Sequence, residues 1–208
     1  MKNFQKIFKN ALIMGFFSIL SLCSVGYIND ITKNQIAYQK EQEKNMFIQQ
    51  VLPYSIYNSH QKKQYSVHNA LLGDTKEHNL WLLFKNKIAR IAIVESIAPD
   101  GYSGSIYILV AAYLNGKILG VRVISHKETP GIGDKIEISI SNWITKFKNL
   151  SVINEKDNRV LLKKYGGQIE QFTGATITPQ AVTNAVKRTV IFIKKIPLIF
   201  SLKEITNI

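Results

Sequence analysis

The spacing of apolar and polar residues changes several times along the chain, and each change predicts a different element. Lys2, Lys6 and Lys9 precede an uncharged run at 11–28. As a helix that run reaches roughly 27 Å, about the hydrocarbon thickness of a bilayer. The lysines mark the cytoplasmic end, so the remainder is expected to be exported. Residues 29–52 are polar and rich in Gln and Lys, with Ile31, Tyr38, Met46 and Phe47 at weak helical spacing, and Pro53 closes the segment. A helical stalk is predicted. The rhythm then turns strand-like: 80–84 and 88–97 flank Lys85-Asn86-Lys87, and 106–114 and 117–125 flank Asn115-Gly116, the strongest short hairpin signal. Alternation is imperfect, with Leu119, Val121 and Val123 set against Gly120 and Arg122, which fits a sheet covered by helices on part of one face. Ile136, Ile140, Trp143, Ile144 and Phe147 share one helical face, and Asp134 with Glu137 reads as a capping box that starts that helix. Thr178 as N-cap and Pro179 at the first helical position open a last helix through Ala181, Val182, Ala185, Val186 and Val190. Lys194-Lys195-Ile196-Pro197 is read as its end, followed by a loose tail. The fold class is α+β: an N-terminal transmembrane helix, then an exported domain with an antiparallel sheet flanked by helices.

Composition narrows the chemistry. A formal net charge of +13 suits a nucleic-acid or anionic-membrane partner. Yet Lys and Arg are scattered from Lys2 to Lys203 without a basic stripe of interleaved aromatics, so the charge is read as a solvated surface and no nucleic-acid partner is expected. The single cysteine, Cys23, excludes an intrachain disulfide and any thiolate cluster or zinc site, so an electron carrier here is organic. His60, His68 and His78 lack metal-ligand spacing. A cleavable signal peptide, with Ser24 and Gly26 as small residues for the peptidase, rivals the anchor; the length of the run favours the anchor.

The candidate chemistry lies in Gln171-Phe172-Thr173-Gly174-Ala175-Thr176-Ile177-Thr178-Pro179, where a glycine-hinged, hydroxyl-rich loop enters a helix. Unpaired amides and the positive end of the macrodipole make a helix mouth a phosphate site, with the hydroxyls of Thr173, Thr176 and Thr178 converging on it. By spacing alone, an ordinary capped turn is the commoner explanation. Two further loops stand out: Pro99-Asp100-Gly101-Tyr102-Ser103-Gly104, and His126-Lys127-Glu128-Thr129-Pro130-Gly131-Ile132-Gly133-Asp134. Each could be a plain surface connection, and Gly-x-Gly without the full nucleotide fingerprint is weak.

Taken together these motifs resemble a known family. Thr173-Gly174-Ala175-Thr176 looks like the flavinylation motif of the FMN-binding domain in the G subunits of Rnf (Rsx) type ion-translocating oxidoreductases. Gly101-Tyr102-Ser103-Gly104, the His126–Asp134 loop and the Thr-Gly-Ala-Thr-Ile-Thr-Pro run follow in that family's order. The C subunits of the sodium-pumping NADH:quinone reductase are related, but the Thr-Gly-Ala-Thr-Ile-Thr-Pro-Gln wording and the short chain favour the G type. One departure is Glu170, where the family usually has Asp.

The resemblance implies FMN bound covalently through a phosphoester to Thr176, with Thr173, Gly174, Ala175 and Thr178 beside it. Glu128, Thr129, Pro130, Gly131, Gly133 and Tyr102 are the other implied pocket residues. No catalytic residue and no metal site are expected. The implied partition is a cytoplasmic N-terminus at 1–9, an anchor at 10–28, a stalk or linker at 29–68, an FMN-binding domain at 69–197 and a tail at 198–208. The implied protein is a non-catalytic redox component, a flavoprotein of the bacterial inner membrane with a single pass and its bulk on the periplasmic side. It would carry electrons in a translocase built with the A, B, C, D and E proteins of an Rnf-type complex, and a flavin transferase would mature it. The spanning run has no Asp, Glu, Lys, Arg or His, so ion transport is expected of the partners. A membrane-anchored exported binding or assembly module, with non-covalent flavin or none, stays open as the alternative.

Overall fold

A computed structural model describes residues 2–205; Met1 and 206–208, the outer ends of the predicted cytoplasmic segment and tail, lie outside the described residues. Two compact units are present, Met1–Asn45 and Met46–Ile208. The first is a single helix, the beginning of α1 (Lys2–Val51), which is long and apolar enough to cross a membrane. Its apolar side chains, Phe8, Leu12, Phe16 and Val25 among them, are exposed. Within the apolar stretch, the Ser18 hydroxyl donates to the Met14 carbonyl and Ser24 to Leu20, so both hydroxyls return to the helix backbone. The predicted stalk is helical despite its weak periodicity, and α1 stops two residues before Pro53.

The second unit takes in residues 46–68. After the short α2 (Tyr54–Ser59), β1 (Gln61–Val67) pairs antiparallel with β2 (His78–Lys85), Gln61 facing Phe84. Gln-Lys-Lys-Gln carries no strand rhythm, and it forms an edge where lysines discourage further pairing. β3 (Ile88–Ala98), β4 (Ile106–Tyr113) and β5 (Ile118–Ser125) complete a five-stranded meander in sequence order. The tight type I′ geometry falls at Asn86 and Lys87, φ 53° and 62°. At Asn115-Gly116 only Gly116 has positive φ, and a three-residue loop is closed by Gly116 N–H to Tyr113 O and Tyr113 N–H to Lys117 O, both 2.9 Å.

Both faces of the sheet are covered, where cover on part of one face was expected. Leu80, Leu82, Ala92, Val94, Ile108, Val110 and Val121 pack with α3 (Ile177–Ile205), and Trp81, Leu83, Ile91, Ile93, Leu109 and Ala111 pack with Ile48, Val51 and Leu52. Two apolar faces leave no polar positions to alternate with, hence the blurred pattern. A bulge adds to it: Ala111 opposes Gly120 and Ala112 opposes Ile118, so Leu119 is the extra residue and joins the second cluster. Gly120 is required there, since a Cβ would stand 2.6 Å from the Val51 carbonyl oxygen.

Two helical expectations are corrected. The helix predicted from Asp134 is instead a pair of 3-10 turns, Asp134–Ile136 and Asn142–Phe147. The capping box does not form, because Asp134 accepts the Gly131 amide at 2.8 Å and Glu137 is taken by His126. Ile136, Trp143, Ile144 and Phe147 are still buried, each contributing about 1.5–3 kcal/mol of transfer energy, while Ile140 is exposed. At the other end α3 continues past Pro197 to Ile205. Proline costs the helix one hydrogen bond, but its φ is helical and buried Ile193 and Ile196 hold the preceding turn on the core.

Candidate functional site

The helix mouth is built from a pinned loop. The Trp143 indole N–H donates to the Glu170 carbonyl at 2.6 Å, and the ring packs on Phe147 and Phe172 with centroids 5.3 and 5.1 Å away. The Glu170 carboxylate bridges Lys146 and Lys163. Hydrogen bonding to Lys146 first, then Lys163, holds its pKa down at about 2. From that fixed leg Phe172-Thr173-Gly174-Ala175 makes a turn, Ala175 N–H to Phe172 O at 3.3 Å, with Gly174 at φ 84° in the corner that demands it.

α3 begins two residues earlier than the sequence suggests. Gln180 N–H donates to the Thr176 carbonyl at 3.1 Å, which makes Thr176 the N-cap residue and leaves the amides of Ile177 and Thr178 at the mouth without an intrahelical partner. The Thr176 hydroxyl has no hydrogen-bond partner among the described residues. Thr178, expected as the cap, already lies inside the first turn of α3 and instead donates its hydroxyl to Glu128 Oε2 at 2.5 Å, a charge-assisted bond. Glu128 Oε1 accepts the Ser103 amide at 3.0 Å. Both side chains are deeply buried, Glu128 5% and Thr178 2% exposed. Gly133 makes the fit possible, since a Cβ would lie 2.9 Å from Glu128 Cβ and 3.0 Å from Oε2.

These segments enclose a cavity of about 390 Å³, lined by Tyr102, Glu128, Thr129, Ile132, Gly133, Gly174, Ala175, Thr176, Ile177 and Thr178. Eight of the sequence-derived candidates therefore meet at one place. Pro130, Gly131 and Thr173 do not line it: Thr173 and Gly174 form the turn's corners, and Gly131 (φ 77°) closes its own loop on Asp134. The three threonine hydroxyls thus do not converge; Thr176 and Thr178 remain, and the proton of Thr178 is committed to Glu128.

The lining is chemically graded. Free amides and a partnerless hydroxyl stand at the helix mouth, Glu128 and the Thr178 oxygen offer acceptor lone pairs on the wall, and Tyr102, Ile132 and Ile177 present exposed apolar surface. That order suits a ligand with an anionic end, hydrogen-bond donors along its length and a flat apolar body, and the volume falls within the range of small-molecule sites. Ile132, Ile177 and Ser103 were missed as site residues, because apolar side chains read as core and a backbone donor leaves no trace in sequence. His126 and Glu137 were missed as a bonded pair; only the short His-x-Glu spacing hinted that His126 touches Glu128.

Comparison with known proteins adds three findings. Residues 101–191 match the model of an FMN-binding domain, and residues 1–51 match that of the RnfG N-terminal region. The G subunit of the ion-translocating oxidoreductase complex of Buchnera aphidicola subsp. Schizaphis graminum is 70% identical over 202 residues, 97% of this chain and 100% of the relative. The proteins of the same description from Pectobacterium atrosepticum and Yersinia pestis are 44% and 40% identical over 190 residues, covering 91% of both partners in each case.

Proposed function

This chain belongs to the family of G subunits of ion-translocating oxidoreductase complexes, and from that premise we propose that it carries FMN covalently, through a phosphoester to Thr176, as a membrane electron-transfer subunit. Membership and the FMN-binding domain support the electron-transfer role; the observation that carries the attachment site is the partnerless Thr176 hydroxyl at the mouth of α3, inside a cavity graded to match the cofactor. When bound, FMN supplies reversible one- and two-electron chemistry. The chain's own residues do the rest. Thr176 Oγ1 tethers the phosphate, and the amides of Ile177 and Thr178 with the helix dipole offset its charge. Glu128, held by Thr178 and Ser103, accepts from donors along the wall, and Tyr102, Ile132 and Ile177 exclude water from the flat ring. The maturing enzyme in this reading is a flavin transferase using FAD and magnesium, so the chain is its substrate. Gly174 and Ala175 keep the approach to Thr176 unencumbered.

The reading extends to setting. The helix of the first unit associates the chain with the membrane, the bulk lies on the periplasmic face by the lysine rule, and the other Rnf subunits receive and deliver the electrons. Ion movement belongs to those partners. The test is ultraviolet in-gel fluorescence of the denatured chain, matured with a flavin transferase, wild type against Thr176→Val. A wild-type band absent from the variant supports the assignment. A dark wild-type band, beside a fluorescent family member, refutes the covalent link and favours an exported binding module.

A further inference from the structure

The loop that walls the cavity is fastened by a histidine outside the lining. The His126 side chain is 8% exposed and stands between two acidic residues. Its Nδ1 accepts the backbone N–H of Glu128 at 3.0 Å, and its Nε2 lies 2.7 Å from Glu137 Oε1. An amide can only donate, so Nδ1 is bare, and the ring's single proton sits on Nε2 and is donated to Glu137. Glu137 is anchored in turn: its amide donates to the Asp134 carbonyl at 2.8 Å, and its Oε2 accepts the Ser139 hydroxyl at 3.0 Å. The bonded chain therefore runs from Ser139 through Glu137, His126 and Glu128 to Ser103 and Thr178. Its last link is unforgiving, because the space where Gly133 lacks a Cβ is the space Glu128 fills.

We propose that His126 is a positioning residue for the cofactor: its Nδ1 lone pair fixes the Glu128 backbone, and so aims the Glu128 carboxylate along the cavity wall, while Glu137 selects the tautomer that leaves that lone pair free. This rests on the reading that the cavity takes FMN. The role differs from packing, since it needs an acceptor at one ring atom and not merely a filled volume. An asparagine places its carbonyl oxygen near Nδ1, a glutamine places its amide near Nε2 with nothing at the δ position, and a leucine supplies neither.

The experiment uses the full chain in detergent, flavin-loaded, as wild type, His126→Asn, His126→Gln and His126→Leu. The readouts are the fluorescence anisotropy of the tethered flavin and the ¹H–¹⁵N resonance of the Glu128 amide. The expected result is wild-type anisotropy in the Asn variant, with loss of anisotropy in the Gln and Leu variants at unchanged covalent flavin content. The Glu128 amide proton moves upfield in those same two. Equal anisotropy in wild type, Gln and Leu, or an Asn variant as mobile as the Leu one, overturns the proposal. A wild type without flavin defeats the reading of the site instead, and the amide then decides the link: unmoved by His126→Gln, it is refuted; moved by Gln and restored by Asn, it stands.

Discussion

Replacing Thr178 by valine isolates one bond of the site. The two side chains share a shape, Thr178 is buried, and its hydroxyl donates to a Glu128 carboxylate that is itself 5% exposed. The variant leaves that carboxylate with the Ser103 amide as its remaining donor in the wall. Hydrogen bonds to charged groups contribute about 1.5–3 kcal/mol, and losing a donor to a buried charge falls in that range. For a unit of this size each kcal/mol shifts Tm by about 2–4 °C, so Thr178→Val should lower Tm by about 3–12 °C. Glu128→Gln should cost less, under about 1 kcal/mol. Its carbonyl oxygen can still accept from Ser103, and its amide can donate to a Thr178 hydroxyl that reverses its role. The assay is thermal unfolding of the flavin-free full chain in detergent at neutral pH, with both variants side by side, so the outcome does not depend on the cofactor. A Thr178→Val protein within about 1 °C of wild type, or a Glu128→Gln protein less stable than it, would refute the account of the wall.

Other consequences are open to direct measurement. The pKa of Glu170 is depressed in the fold, from 4.5 to about 2, so the stability it contributes is present above pH 4.5 and is lost as pH falls toward 2. Glu170→Gln should flatten the acid limb of the stability curve in that window; an unchanged limb places the slope on other carboxylates. Gly120→Val drives a side chain into the Val51 carbonyl and should destabilise the unit by at least about 2 kcal/mol in urea unfolding; a neutral result means the end of α1 is not seated on β5 as described. Lys87→Gly relieves a left-handed residue in the β2–β3 turn and should stabilise by about 0.5–1 kcal/mol; a loss of stability would argue against the type I′ geometry.

The strands at 80–84, 88–97, 106–114 and 117–125 were legible because β-branched runs broken by turn residues have few other solutions. β1 was not, because Gln61-Lys62-Lys63-Gln64 gains its place from pairing with β2 and its own side chains say nothing of it. The misread helix after Asp134 shows a different limit. Apolar residues three and four apart also suit 3-10 turns, and only tertiary partners decide, here His126 capturing Glu137 before it can close a capping box. At the site, residue types in Thr173-Gly174-Ala175-Thr176 and Glu128–Gly133 picked out loops that line one cavity, where Tyr102, Glu128, Gly133 and Thr176 are brought together. Roles within the cluster were less visible. Thr178 looked like a cap and serves Glu128, a bond spanning 50 residues that no local pattern encodes.

The end of α1 has a bearing on how this protein can be cut free. Ile48, Val51 and Leu52 lie against Trp81, Leu83, Ile91, Ile93 and Leu109, and the boundary between the two units falls at Asn45. A protease that severs the chain before Met46 releases a particle with its greasy sheet face still roofed. A cut at Pro53 strips the roof and leaves Trp81 and its neighbours bare, a sticky surface that would drive self-association or return to the membrane. Shedding a soluble electron carrier therefore has a narrow margin: the last turns of the membrane helix must leave with it.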